Sequence, residues 1–466
     1  MIIPKEIFKA YDIRGIVGKT LTPEIVQAIG QAIGSEAIAR KQTRICVGYD
    51  GRLSGPELAA ALSLGIRKTG IDVIQLGCVA TPMVYFAAHH LGTDCGVMVT
   101  GSHNPPDYNG LKIVLDGETL SEAAIQSLRV RIEQNDLVES SLGAESHYDI
   151  APDYIARIAS DIKLTRKMKV AVDCGNGVAG AFARKLYEAL GCEVEELFCE
   201  VDGHFPNHHP DPSVPENLAD LITALKNGDA EIGLAFDGDG DRLGVVTKQG
   251  NIIYPDRQLL LFAEDVLKHE PGATIIFDVK CTRNLSSWIK ARGGKPVMWK
   301  TGHSLVKAKI KETSAALAGE MTGHLFFNDQ DAATRKKRWY GFDDGLYAGA
   351  RLLEILSRSD NPSAILDALP DSISTPEQHI RMLEGETHKL ITHLQSSAKF
   401  EGAIEVITID GLRVEYADGF GLMRASNTTP VLVLRFEADD PEALKRIQNA
   451  FRAIILAAEP YLNLPF

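Results

Sequence analysis

The sequence predicts an α/β protein of several domains, in which three α/β units follow one another and a smaller α+β unit closes the chain. Three observations carry that reading. A plan of apolar strand ending in Asp, amphipathic helix, glycine and second strand occurs three times, the signature of a βαβ unit. The copies begin on the order of 100 residues apart, far beyond solenoid periods, so each nucleates its own domain instead of stacking as a short repeat. After them the pattern changes to strict apolar/polar alternation, the mark of an antiparallel sheet with one buried face.

The first copy is RICVGYDGRLSGPELAAALSLGIRKTGIDVIQLG, with Asp50 at the strand end and Gly70 at the helix exit. KMKVAVDCGNGVAGAFARKLYEALGCEVEELF is the second, with Asp173 and Gly191, and ATIIFDVKCTRNLSSWIKARGGKPVMWKTG the third, with Asp278 and Gly293. Glycine suits a helix exit because that position is commonly left-handed. The tail, EVITIDGLRVEYADGFGLMRASNTTPVLVLRFEA, alternates about a turn at Asp410-Gly411 and precedes the helical DDPEALKRIQNAFRAIILAAE. Polar or turn-rich stretches at SSLGAESHYD, Gly250-Asn251 and LPDSISTPEQ separate the units. The expected domains are therefore residues 1–146, 147–251, 252–367 and 368–466.

The totals agree. A chain of 466 residues is too long for one core, and 45% apolar with 24% charged residues describes a soluble globular protein. No apolar run is long enough to span a bilayer, and MIIPKEIFKAYDIRG lacks the basic-then-apolar order of an export signal. The seven cysteines are odd in number and scattered without CxxC spacing, as expected of reduced core residues in a cytoplasmic protein. A net charge of −13 argues against nucleic acid as partner. The basic run Arg335 to Arg338 is read as a solvated loop. The totals leave the oligomeric state open and are compatible with a monomer.

Four clusters carry chemistry. In CGVMVTGSHNPPDYNG, Pro105-Pro106 keeps the chain from entering a helix after a buried-type strand, so Ser102, His103 and Asn104 lie on a forced loop. Thr100 and Asn104 exclude the GxSxG hydrolase turn. In DGDGDR, Asp237, Asp239 and Asp241 alternate with Gly238 and Gly240; three carboxylates so close repel unless a hard divalent cation neutralises them. An EF-hand would need Gly and Glu where Arg242 and Lys248 stand. RASNTTP, residues 424–430, gathers Arg424, Ser426, Asn427, Thr428 and Thr429 on a turn, donors suited to a phosphate dianion. In GEMTGH, residues 319–324, Glu320 can accept from two neighbouring sugar hydroxyls and His324 titrates near neutrality.

A competing motif is Gly175-Asn176-Gly177-Val178-Ala179-Gly180, a GxGxxG turn after a strand, with Glu193, Glu195 and Glu196 near where a ribose-binding acid would stand. It makes a dinucleotide-dependent oxidoreductase the rival class, although a glycine turn also serves close packing and explains none of the other clusters. A non-catalytic sugar-phosphate sensor is a third class, but would not need a serine beside a metal site.

In order along the chain, KAYDIRG, TGSHNPPDYNGLK, DGDGDR, GEMTGH and RASNTTP resemble the motifs of the α-D-phosphohexomutase superfamily, and within it the bacterial phosphomannomutase/phosphoglucomutase group. The resemblance implies three topologically similar α/β domains with mixed sheets plus a C-terminal α+β domain around a central cleft. It implies an isomerase that moves a phosphoryl group between the 1- and 6-hydroxyls of a hexose, with Mg2+ and glucose 1,6-bisphosphate. By the same resemblance Ser102 would be the phosphoserine and, with Asp237, Asp239 and Asp241, hold the Mg2+. Tyr11, Arg14, His103, Lys112 and Arg242 would line the phosphotransfer site. Glu320, Thr322 and His324 would form the sugar loop, Lys280 and His303 would add substrate contacts, and the RASNTTP residues would hold the non-reacting phosphate. Thr322 stands where the family usually has Ser. Met321 beside Glu320 points to the glucose/mannose branch, with phosphoglucosamine as the alternative substrate. Either His324 or Lys112 would move the hydroxyl proton, the lysine if neighbouring cations lower its pKa. Prolines holding Ser102 out into the cleft would complete the expected picture.

Overall fold

The computed structural model describes residues 3–383, 385–427 and 429–466. Its first three sheets share one topology. In the first, Asp72–Cys78, Arg44–Tyr49 and Gly96–Val99 run parallel in that spatial order, and Tyr108–Leu115 lies antiparallel beside the last. The second repeats it with Glu193–Leu197, Lys169–Asp173, Ile232–Phe236 and antiparallel Leu243–Thr247. The third does so with Lys295–Trp299, Thr274–Asp278, Leu317–Gly319 and antiparallel Leu325–Phe327. Parallel neighbours follow from the helical crossovers, while a connection of only a few residues permits nothing but an antiparallel return. Gly70, Gly191 and Gly293 leave their helices at φ 91°, 94° and 77°, as the sequence predicts.

This topology decides where the motifs sit. The third strand lies on the opposite side of the first strand from the second, which creates a crevice at the carboxyl ends of the first and third strands. Asp50, Asp173 and Asp278 mark the first-strand ends, and the short returns from third to fourth strand are residues 100–107, 237–242 and 320–324. The serine, acidic and sugar motifs therefore occupy one equivalent position in three domains.

The sheets change slightly later than the expected cuts. Glu145–His147 pairs with the first sheet across the 146/147 cut, and Ile252–Ile253 completes the second sheet beyond 251.

One apolar core runs through the first three domains. It joins Met83 and Phe86 to Tyr154, Phe236, Phe262, Trp339 and Tyr347, with the Trp339 and Tyr347 rings stacked 4.2 Å apart. Within it Tyr154 donates 2.8 Å to Asp344, which also accepts from Tyr347 N at 2.9 Å as helix cap. Burial pushes the Asp344 carboxyl up to about 7, although the Tyr347 and Tyr154 hydrogen bonds oppose the shift. A carboxyl raised on folding contributes stability that is complete below its unfolded value near 4 and is lost as pH rises through 7. Asp344→Asn keeps the accepting oxygen, so its melting temperature relative to the parent is expected to climb between about pH 4 and 7 and level off above. A flat difference across that window in thermal unfolding would count against the assignment.

The fourth domain has its own core. Its six-stranded antiparallel sheet includes Leu412–Tyr416, Gly419–Ala425 and Val431–Ala438, and Ile447, Phe451 and Ile455 of the C-terminal helix pack on one face with Leu390 and Leu394 of Glu386–Ser397. Along Gly419–Ala425, Phe420 and Leu422 face the other way and meet Val279 of the third domain, while a Cβ at Gly421 would strike Phe451 at 2.3 Å. Period-two alternation thus puts Arg424 on the same face as Phe420 and Leu422. That interface is largely polar: Arg413 donates to the carbonyls of Val279 and Cys281 at 2.7 and 2.6 Å, and Thr282 donates to Glu437 at 2.8 Å.

Candidate active site

The strand Gly96–Val99 delivers Ser102 to the crevice. Its N–H donates to Thr100 Oγ1 at 2.7 Å, and its Oγ lies 3.1 Å from His103 Nδ1 and 3.2 Å from Asp237 Oδ2. The expectation of an outstanding serine needs correction: Ser102 is 1% exposed, because the imidazole and the acidic loop close over it. Its φ is +50°. A non-glycine residue there costs about 1–3 kcal/mol and persists only where the surroundings over-determine it, as they commonly do at functional positions.

The acidic loop lies directly against the serine. A Cβ at Gly238 would meet the Ser102 carbonyl oxygen at 2.4 Å, and Gly240 turns the chain at φ +76°. Asp237, Asp239 and Asp241 are fully buried, with one oxygen from each within 4.8 Å of the others. Burial, then the Asp239 and Asp241 charges, push the Asp237 carboxyl well above the usual range. Burial opposes ionisation of Asp241 as well, but Lys112 and His324 pull it well below. Asp239 Oδ1 is buried without a hydrogen-bond donor. An oxygen-only set carrying excess negative charge and an unsatisfied carboxylate oxygen fits a hard divalent cation. Lys248 turns away, donating to the Leu225 and Gly228 carbonyls at 2.6 and 2.7 Å, which removes the EF-hand alternative.

Cations ring the triad. Lys112 Nζ donates to Asp239 at 2.7 Å and Asp241 at 2.5 Å. This corrects the idea of a lysine with depressed pKa: burial does lower it, but the Asp239 and Asp241 charges outweigh burial and raise it, locking the charge. Arg14 bonds Asp12 at 2.5 Å and also Asn104. Arg242 Nε lies 3.7 Å from Asp237 and 3.3 Å from His324 Nε2. Burial, then Arg242 and Arg14, hold His103 well below its ordinary value, so that ring is neutral.

The loop of residues 320–324 joins the same cluster. His324 Nε2 is 3.3 Å from Asp241 and its Nδ1 is 3.2 Å from Glu320 and 3.1 Å from Thr322 Oγ1. Burial disfavours the imidazolium, yet Asp241 and Glu320 prevail and raise His324 to about 9. Glu320 also accepts from Gly302 N at 2.6 Å. Gly302 and His303 open the helix His303–Thr313, and the His303 ring stands 5.8 Å from His324 and 5.6 Å from Tyr11. Burial raises the Tyr11 phenol, Asp12 adds to it, and the Arg424 charge of the fourth domain opposes.

A separate group lies on the fourth domain. Arg424, 4% exposed, is held by Asp410 at 3.0 Å, which also accepts from Thr301 N at 3.0 Å. Ser426 Oγ accepts from Thr429 N at 3.3 Å and lies 3.1 Å from Thr429 Oγ1. Thr428 lies outside the described residues. Ser426, Asn427 and Thr429 line a cavity of about 340 Å³ together with Lys5 and Lys9 of the first domain. Lys280 is paired with Glu377 at 2.6 Å. The structure thus brings Ser102, the triad, Lys112, Arg242, Glu320 and His324 into one contact network, sets Ser426, Asn427 and Thr429 on the wall of one cavity, and pairs Arg424 with Asp410.

Comparison with known proteins decides what the network belongs to. Sequence models described as phosphoglucomutase/phosphomannomutase α/β/α domains I, II and III match residues 5–139, 152–250 and 254–373, and the C-terminal domain of the same family matches 380–454. The chain belongs to the phosphoglucomutase/phosphomannomutase family. Relatives in that family include a phosphoglucomutase of Neisseria gonorrhoeae, 61% identical over 99% of both chains. The phosphomannomutase/phosphoglucomutase of Pseudomonas aeruginosa is 57% identical over 100% of this chain and 98% of its own. A crystal structure of a phosphoglucomutase/phosphomannomutase family protein from Burkholderia thailandensis superposes with a TM-score of 0.94 at 58% identity, covering 100% of each chain.

In this phosphoglucomutase/phosphomannomutase fold the GNGVAG turn is packing. Residues 174–180 are buried, Val178 N donates to Gly238 O at 3.1 Å, and a Cβ at Gly180 would meet Cys199 O at 2.0 Å. Glu193 and Glu196 are engaged by Lys169 and Arg184. The turn buttresses the acidic loop from behind and offers no cradle for a dinucleotide. All seven cysteines are free, as expected, though Cys78 is exposed. Arg335, Lys336 and Lys337 are exposed as expected, whereas Arg338 is half-buried on Asp161 and Glu354. Among the described residues no helix is long and apolar enough to cross a membrane.

Sequence reasoning missed the residues that orient the named ones. Thr81 donates to Asp239 at 2.5 Å and Thr100 Oγ1 lies 3.1 Å from it, Lys307 bonds Asp343 at 2.8 Å beneath His303 and His324, and Asp410 steers Arg424. Asp410 stood in the sequence only as a turn residue. The retained signal was that a strand end carries Asp in all three βαβ copies, which the structure turns into bonds: Asp50 to Thr100 at 2.7 Å and Asp278 to Thr301 at 2.9 Å.

Proposed function

We propose that the protein is a phosphohexomutase that interconverts hexose 1-phosphate and hexose 6-phosphate of the glucose and mannose series, through a phosphoserine at Ser102 and a hexose 1,6-bisphosphate. The observation that carries this reading is Ser102 Oγ at 3.2 Å from Asp237 within a buried triad of carboxylates. Asp237, Asp239 and Asp241 would hold Mg2+ together with the serine oxygen. When bound, that cation neutralises charge on the phosphoryl group and on the serine oxygen as it departs.

The protein's own groups do the rest. Lys112, Arg14 and Arg242 offset the charge of the phosphoserine and let an anionic sugar approach. The Ser102 O–P bond breaks as a new O–P bond forms to the free sugar hydroxyl, whose proton passes to a nearby base. The Lys112 ammonium is held by two carboxylates, and His324, raised to about 9, takes the proton through its neutral fraction, which grows as pH rises toward that value. The bisphosphate then turns end for end and returns its other phosphoryl group to Ser102, glucose 1,6-bisphosphate serving as activator. Glu320, with Thr322, reads hydroxyls presented in both orientations, and Lys280, His303 and Tyr11 line the path. Arg424, Ser426, Asn427, Thr428 and Thr429 hold the phosphate that is not reacting.

A coupled assay offering glucose, mannose and glucosamine 1-phosphates in parallel, with Mg2+ and bisphosphate, tests the proposal. Turnover of the first two above the third is expected; no turnover of any would overturn it. Division of labour between the two groups gives a further expectation. Arg424→Ala removes a charge-assisted phosphate contact, so KM rises by about 10- to 100-fold while kcat stays within about threefold. A kcat loss with unchanged KM would contradict it.

A further inference from the structure

We propose that Arg52 is a positioning residue for phosphoryl transfer, fixing the Ser102 loop through a single guanidinium. Its Nη1 donates to the carbonyls of Pro105 at 2.5 Å and Tyr108 at 3.0 Å, and its Nη2 to those of Ser102 at 2.8 Å and Asn104 at 2.6 Å. Three carbonyls of the loop and that of Tyr108, the first residue of the returning strand, therefore converge on one fully buried side chain. Its Nε lies 3.3 Å from Asp50 Oδ2, and that carboxylate also accepts from Thr100 Oγ1 at 2.7 Å and Gly101 N at 3.2 Å. Phe205, from the second domain, covers the guanidinium with its ring centroid 5.3 Å away.

The loop needs such a donor. Pro105 and Pro106 supply no N–H, and the N–H groups of Asn104 and Tyr108 are spent on the carbonyls of Gly101 and Pro105, so the carbonyls of Ser102 and Asn104 are met from outside the loop. A planar guanidinium presents its donors in a fixed fork and reaches several acceptors at once, whereas an ammonium donates from one point. Gly101 belongs to the same device: a Cβ there would sit 2.4 Å from Arg52 Cζ and Nε, so only glycine lets the guanidinium lie under the loop. The left-handed backbone of Ser102 is thus imposed by bonds on its own carbonyl and on those of Asn104 and Pro105. Arg52 touches neither substrate nor reacting atom in this scheme; it sets where Ser102 Oγ stands relative to Asp237.

The inference rests on the phosphoserine reading, and the experiment separates the two. The full-length protein and its Arg52→Lys variant are incubated with glucose 1,6-bisphosphate and Mg2+, the phosphate on Ser102 is followed by mass spectrometry, and kcat and KM are measured for glucose 1-phosphate. A loss of about 10²-fold in kcat and in the rate of Ser102 labelling is expected, with KM within about threefold, since an ångström of misplacement at a reacting group costs about that much. Arg52→Lys kinetics within about threefold of the parent overturn the inference, as does a KM rise that matches the kcat loss, the sign of general damage. Should Arg52→Lys fail to fold, Gly101→Ala decides: the same split between kcat and KM supports the device, and parental kinetics refute it. A parent that acquires no phosphate on Ser102 overturns the phosphoserine reading instead.

Discussion

Ser102→Ala is expected to lower kcat by at least about 10³-fold, because in the proposed mechanism Ser102 is the covalent nucleophile and its loss leaves no alternative route for the transferred group. The neighbouring hydroxyls cannot substitute. Thr100 Oγ1 is committed to Asp50 and Asp239, and Thr81 Oγ1 to Asp239, so each is tied into the scaffold that holds the acidic loop. The backbone cost of φ +50° is carried by serine and alanine alike, and the side chain lost is small, so the variant should fold and bind phosphosugar with near-parental affinity. Phosphosugar binding by calorimetry beside the coupled assay tests both halves. Turnover within about tenfold of the parent would end the phosphoserine account.

Asp237→Asn is expected to act in opposite directions on activity and on stability. Three buried carboxylates repel, and Asp237 is the one whose ionisation burial and its two neighbours resist most clearly. A carboxyl raised on folding costs the metal-free protein stability as pH climbs from the ordinary carboxylate range, near 4, toward its folded value. Asparagine is neutral throughout, and its oxygen can still accept the N–H groups of Asp241 and Arg242, now 3.1 and 3.2 Å from Asp237 Oδ1. The variant should therefore melt about 2–4 °C higher than the parent in chelator at neutral pH, an advantage that vanishes near pH 4. Turnover should fall by about 10²-fold or more, since on the proposed reading a charged oxygen ligand of Mg2+ is lost, and added Mg2+ should raise the melting temperature of the variant less than that of the parent. A lower melting temperature in chelator, or parental turnover, would refute the reading of the triad as a cation clamp.

Much of this was legible in the residues. Strand ends, helix exits and motif loops could be placed because apolar periodicity and glycine report local backbone geometry directly, and an Asp at each first-strand end signalled a repeated architecture. The pairing of the third and fourth strands could not be read, since two apolar runs a few residues apart do not reveal on which side of the sheet they lie. That is why the sequence does not show that SHNPPD, DGDGDR and EMTGH stand at one equivalent position in three sheets. The burial of Ser102 and the charge state of Lys112 were read wrongly for the same reason: both depend on Asp239, Asp241 and Asp237, which are distant in sequence and arrive only through packing. Arg52 gave no local sign at all, because the carbonyls it satisfies belong to a later loop.

The equivalence of those three returns has a consequence for how the protein comes into being. On the proposed reading one hairpin carries the nucleophile, another the clamp and a third the hydroxyl reader, while the grip on the far phosphate belongs to the domain that follows them. Each sheet closes on strands from its own stretch of chain, so the ribosome can lay the three scaffolds down in turn before the fourth is made.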